Sequence, residues 1–323
     1  MRKSDPIETA LNRLGELRTA TPELVTGELR SYLGNRSNLV VAKAAKLSGE
    51  LRVSELVPDL VAAFNRFMKN PQQLDKRCAA LTEITAALYE MDCREAEVYL
   101  SGLRHIQKEA SFGPSVDTAA VLRGMSAQGL VRTGHANALA EVVQILVDPE
   151  AHARLGAVRA LASNGGDAGV LLLRLKALTG DAEIEVLGEC FTGLLAAAPE
   201  QSLRFVARYI DDDDEAISEA AIWALGESRL RPAFEVLKEK WQRTAGRSCR
   251  KVLLAAMAAS RLEEAIEFLR WLLETESPQT ASDVVAALAI YKGNESIKQP
   301  VAAVVRGRGN KLLSEMFERH FEI

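Results

Sequence analysis

The sequence predicts an all-α protein, a right-handed α-solenoid in which antiparallel helix pairs stack in single file. Two observations carry that expectation. The first is an internal repeat: Ser228-Arg229-Leu230, followed by Ala233, Glu235 and Leu237, returns as Ser260-Arg261-Leu262, followed by Ala265, Glu267 and Leu269. A chain that repeats itself at this kind of period builds one helical hairpin per repeat. The second is composition. Of 323 residues 48% are hydrophobic but only 5% aromatic. Helices packed through small and aliphatic side chains have that balance, whereas an all-β fold would draw on more Val, Thr and Tyr.

Taken in order, residues 6–20 read as a short amphipathic helix, with Ile7, Leu11, Leu14 and Leu17 on one stripe. Thr21-Pro22-Glu23 opens the next helix, because proline at the first helical position gives up an N–H that has no intrahelical partner. Gly34 to Asn38 break that helix, and Val41, Ala44, Ala45 and Leu47 mark a second one. Further pairs follow at 54–91, broken at Asn70-Pro71, and at 93–134, with a longer break at 110–114. Then come 135–147 with 150–163, 167–179 with 182–197, 200–210 with 213–227, 231–243 with 247–260, and 263–275 with 278–291. Residues 295–305 and 311–321 form an atypical last pair, with Arg306 to Lys311 as the turn between its helices. The expected organisation is one repeat domain over 1–323. It has a cap helix at 1–20, about eight helix pairs at 21–293 and a capping pair at 294–323.

The later units share a register. One position of each second helix is small: Ala160, Gly193, Ala224, Ala256 and Ala287. The next is a knob: Leu161, Leu194, Leu225, Met257 and Leu288. Three residues before the small position stand Ala157, Cys190, Ala221, Leu253 and Val284. Residues three and four apart share a helix face, so this stripe is the seam that neighbouring pairs bury.

Asp213, Ile217, Ala220-Ala221 and Ala224-Leu225-Gly226 resemble the HEAT-repeat pattern in its short bacterial version, first described in phycocyanobilin lyases. The pattern recurs more weakly at Asp148-Pro149-Glu150, Arg154, Ala157 and Ala160-Leu161. The resemblance covers about 21–293 as architecture and is specific from the fourth unit to the eighth. It implies a superhelix that acts as a scaffold or adaptor, and no chemistry. Leu187 and Ser218 stand where that motif often has arginine.

A formal net charge of -4 argues against a chain-wide nucleic-acid footprint. Cys78, Cys93, Cys190 and Cys249 have no metal-binding spacing and read as free thiols of a reducing compartment. No apolar run is long enough for a membrane helix, and the first residues do not read as a signal peptide. The expectation is a cytoplasmic protein with a protein partner, no cofactor, no metal and no catalytic group. His105, His135, His152 and His320 lie at no ligand spacing. The run Asp211 to Glu215 lacks the alternating acids and turn glycine of a calcium loop. Acids just before a helix cap its N–H groups.

Partner-binding candidates lie off the seam. Arg159, Thr192, Trp223, Ala255 and Ala286 each precede the small position, and Arg154 and Arg250 hold the motif-arginine position. Helical geometry projects them towards a concave face lined by second helices. Trp and Arg are enriched at binding hot spots, so Arg154, Arg159, Trp223 and Arg250 are the expected partner contacts. The alternative is that Trp223 packs between helices while the arginines pair with Glu219 or Glu189. Trp241 and Trp271 read as packing residues of first helices. The long break from Gln107 to Ser115, with Phe112-Gly113-Pro114, reads either as a binding loop or as simple length variation. Two other functions are alternatives. Alkylpurine DNA glycosylases share this build, but no matching Trp–Asp pair is present and the charge balance is acidic. A bilin lyase-like chaperone follows from the fold resemblance alone.

Overall fold

The computed structural model describes residues 6–19 and 21–321. Residues 1–5, 20, 322 and 323, which the expected caps include, lie outside the described residues. The chain divides into two compact units, Met1–Leu173 and Arg174–Ile323. Each is a run of stacked antiparallel helix pairs, the all-α solenoid arrangement.

In the first unit the helices are α1 Pro6–Glu16, α2 Pro22–Leu33, α3 Asn38–Glu50, α4 Val57–Met68, α5 Pro71–Leu74, α6 Ala79–Glu90, α7 Ala96–Leu103, α8 Ala120–Thr133, α9 Ala138–Ile145 and α10 Ala151–Asn164. The row α1–α3–α6–α8–α10 packs neighbour on neighbour. The closest approach joins α8 to α10. A Cβ built on Gly156 would stand 2.1 Å from the Gly124 Cα, so both positions must lack a side chain.

The second unit begins within α11, Asp167–Thr179. It continues with α12 Ile184–Ala197, α13 Pro199–Ala207, α14 Glu215–Glu227, α15 Arg231–Arg243, α16 Arg247–Ala259, α17 Glu263–Thr275, α18 Pro278–Leu288, α19 Glu295–Arg308 and α20 Lys311–Phe321. Here α12–α14–α16–α18–α20 form the second-helix row. The seam read from the sequence is its core: Ala224, Ala256 and Ala287 are buried, as are Leu194, Leu225, Met257 and Leu288. Helix starts follow local chemistry. Prolines open α13 and α18, and the Asp214 carboxylate accepts from the Ala216 N–H at 2.9 Å to cap α14.

Two expectations need correction. The break at 110–114 is the tip of a β-hairpin, with β1 Lys108–Glu109 antiparallel to β2 Val116–Asp117. The stretch Arg306 to Arg308 belongs to α19 rather than to a turn. Only Gly309, at φ 55°, ends that helix. Arg308 donates to the carbonyls of Leu273 and Glu276, so it closes the C-terminus of α17 instead of opening an anion cradle.

Candidate functional site

The motif position is where the structure departs most from the expected site. Arg154 is buried on α10, and its Nη1 donates to the carbonyls of Asp148 at 2.8 Å and Pro149 at 2.9 Å. Arg250 on α16 donates from Nε to the Thr244 carbonyl at 2.6 Å and lays its guanidinium 4.6 Å from the Trp241 ring centre. Both side chains run back along their own helix and fasten the turn that precedes it. Neither projects outward. Side chains on a helix lean towards its N-terminus, so a long cation in the first turn reaches those unpaired carbonyls.

The same task is met by other chemistry where arginine is missing. Ser218 donates to the Ile210 carbonyl at 2.8 Å. In the turn before α12, the helix that carries Leu187, Lys176 of α11 reaches the Gly180 carbonyl and pairs with Asp181 at 2.7 Å. In the first unit the counterpart is Arg123 on α8, which the sequence reading missed. It lies six residues before Gly129, as Arg154 lies before Ala160. It donates to the His105 carbonyl at 3.0 Å, and pairs with Asp117 at 2.8 Å and Asp148 at 2.7 Å.

Arg123 also anchors the hairpin. Asp117 accepts from the N–H groups of Gln107 and Ala119, and Glu109 accepts from Gln107, Thr118 and the Arg77 N–H. Gln107 donates onward to the Asp75 carbonyl at 2.8 Å. The Asp75 carboxylate in turn caps α6 through Ala80 and Leu81. This network holds Arg77 and Cys78 in the left-handed region, at φ 62° and 54°. Burial and the nearby carboxylates push the Cys78 thiol far above its ordinary value and so disfavour the thiolate. Phe112 stands fully exposed at the hairpin tip.

In the second unit the off-seam positions of α12, α14, α16 and α18 are Thr192, Trp223, Ala255 and Ala286, and only one is large. Trp223 is 39% exposed. Glu219 and Glu227 lie one turn either side of it on α14, with no ion-pair partner among the described residues. Across the face, Arg247 and Lys251 of α16 are drawn to Asp283 of α18 at 3.1 and 3.7 Å. The face is therefore aromatic and acidic along α14 and charge-compensated beyond it. Trp241 is buried, and Trp271 is 52% exposed and stacked on Phe268 at 5.8 Å.

The four expected contacts thus divide. Arg154 and Arg159 are on α10 of the first unit, Trp223 and Arg250 on the second. Arg154 and Arg250 serve their turns, whereas Arg159 and Trp223 face solvent.

These features make the chain a helical-repeat protein. No known protein family matches the sequence, and no curated protein does. Among solved structures the chain is similar to the complex of CpcE and CpcF of phycocyanin lyase from Nostoc sp. PCC7120. Identity is 14% over 98% of this chain and 97% of that one, with a TM-score of 0.37. It is also similar to an engineered protein, at 16% identity over 99% and 96% of the two chains, with a TM-score of 0.39. Both likenesses concern the helical-repeat fold. The expectation that the chain is not an enzyme is corrected by the first of them, because that neighbour is a lyase complex, and it is given up. No helix among the described residues is long and apolar enough to cross a membrane.

Proposed function

We propose that the chain is a HEAT-like adaptor whose second-helix face in the unit 174–323 binds a basic segment of a protein partner. The observation that carries this reading is Trp223, a large aromatic at a position that is small on the neighbouring second helices, flanked by two carboxylates without an ion-pair partner among the described residues. An exposed tryptophan takes the aliphatic stem of a Lys or Arg and attracts its charge through the ring face, while Glu219 and Glu227 hold the charged head.

Site-specific photo-crosslinking tests the reading. A photoreactive phenylalanine analogue is placed at 223 or, as a control on an exposed first-helix tryptophan, at 271. The proposal expects a protein adduct from position 223 alone, and its loss when Glu219 and Glu227 are both replaced by Gln. Equal adducts from both positions, or none from 223, would refute it.

A further inference from the structure

The repeat signature Ser-Arg-Leu contains one residue that the fold does not use. Ser228 and Ser260 donate to the carbonyls of Leu225 and Met257 and accept from the N–H groups of Leu230 and Leu262. Leu230 and Leu262 are partly buried where α15 and α17 begin. Arg229 and Arg261 are exposed and have no ion-pair or side-chain hydrogen-bond partner among the described residues. Their backbones sit at φ 55° and 58°, a region that strains any residue carrying a Cβ and that glycine adopts freely. The first unit shows the unstrained solution, with Gly134 and Gly165 ending α8 and α10 at φ 74° and 63°. Where the first unit does place charge at such φ values after α3 and α6, the charge is spent internally. Arg52 pairs with Glu90 at 3.6 Å and Asp92 with Arg94 at 2.8 Å.

The series continues one repeat on. Lys292 follows α18, exposed and likewise without a partner among the described residues. Because α14, α16 and α18 run in the same direction, their C-terminal ends line one edge of the unit. Burial pushes the half-buried Tyr291 phenol above its ordinary value, with the charges of Arg261 and Arg229 working against that, and the phenol donates to the Ala258 carbonyl at 2.6 Å. Arg261 also borders a 410 Å³ basin with Ile290, Tyr291, Gly293 and Asn294, in which Ile290 is largely exposed.

We propose that Arg229, Arg261 and Lys292 form a cationic ladder that docks an acidic peptide segment of a partner protein, with an aliphatic residue of that segment in the Ile290–Tyr291 basin. The ladder matches a peptide better than a small anion. Neighbouring helices stand about 8–10 Å apart, and an extended chain advances about 3.3 Å per residue, so acids about three residues apart meet successive rungs. Guanidinium groups bind carboxylates bidentately, and the open edge leaves both faces of the fork free. This site is separate from the Trp223 face and stands or falls without it.

Fluorescence anisotropy on the full chain tests the proposal, with a fluorescein-labelled peptide carrying glutamate at every third position around a central leucine. Its glutamine counterpart is the control. The acidic peptide should bind at low salt and the glutamine peptide should not. The variant Arg229→Gly/Arg261→Gly should bind about tenfold or more weakly, while its thermal midpoint stays level or rises because the backbone strain is relieved. Inorganic phosphate should compete only far above the peptide concentration. Equal binding of both peptides, undiminished binding by the double variant, a lowered midpoint that makes the arginines structural, or phosphate competition at peptide-like concentration would each overturn it.

Discussion

Replacing Arg123 by Ala should destabilise the first unit more than any other single surface-distant charge deletion in it. The residue is 2% exposed and its side chain binds two carboxylates, Asp117 and Asp148, together with the His105 carbonyl. Removing one partner of a buried ion pair typically costs about 3–5 kcal/mol, because the other charge stays behind uncompensated. The lower end applies here. Asp117 keeps the N–H groups of Gln107 and Ala119, and Asp148 keeps that of Glu150. A loss of about 3 kcal/mol in a unit of this size lowers the midpoint by roughly 6–12 °C. The loss should also depend on pH. Burial works against the charged form of Asp117, yet its backbone hydrogen bonds and Arg123 hold the carboxyl below its ordinary value. A carboxyl depressed in the folded state stabilises at neutral pH, and that contribution disappears as pH falls through the folded value. Without Arg123 the burial effect gains weight, the carboxyl takes up its proton at higher pH, and the buried charge is removed. The deficit of Arg123→Ala should therefore be smaller at pH 4 than at pH 7, measured by urea unfolding followed by circular dichroism. A deficit below about 1 kcal/mol at pH 7, the range of an exposed pair, or one identical at both pH values, would refute the reasoning.

Four further outcomes can be measured on the same preparations. Gly226→Ala should cost about 1–3 kcal/mol, because its Cβ would sit 2.4 Å from the Ala256 carbonyl oxygen across the α14–α16 seam. Gly188→Ala should be neutral or stabilising by up to about 1 kcal/mol, because its Cβ meets only the Ala220 methyl at 3.6 Å and helix propensity improves. Asp214→Ala removes the cap of α14 and should cost about 1 kcal/mol in chemical denaturation, with Asp214→Asn recovering most of it. In native protein a disulfide-exchange reagent should titrate Cys249 alone. Cys78, Cys93 and Cys190 are buried, and burial pushes the Cys190 thiol up to about 12; all four should react in denaturant.

How far the sequence could be read depended on whether a residue's partners lay within its own repeat. The second unit was nearly transparent: α15 and α17 run over the residues read from proline, acid and small-residue signals. The hairpin was not, because its strands are two residues long and are held by Arg123, whose carboxylate Asp148 lies 25 positions away. Nothing local to Gln107 or Glu109 announces a network that closes through another helix. The hydrogen bonds of the motif arginines were hidden for a different reason. A helical wheel places Arg154 and Arg250 off the seam, but it records the direction of the Cβ and ignores five further bonds of side chain that curl back to the turn carbonyls.

That geometry sharpens the search for function. A repeat must fasten its own turn, and this chain does so with Arg123, Arg154 and Arg250, with Ser218, and with Lys176 where Leu187 offers nothing. A charge engaged in that way has little left for a partner, since drawing it out would orphan a carbonyl at a cost of about 1–3 kcal/mol. Affinity must come from residues that the repeat leaves idle. Trp223, with its bulk outside the seam, and Arg229 and Arg261, at backbone angles suited to glycine, have no such duty. The turn-fastening arginines and the idle residues should therefore separate cleanly under mutation, the first group lowering stability and the second lowering binding.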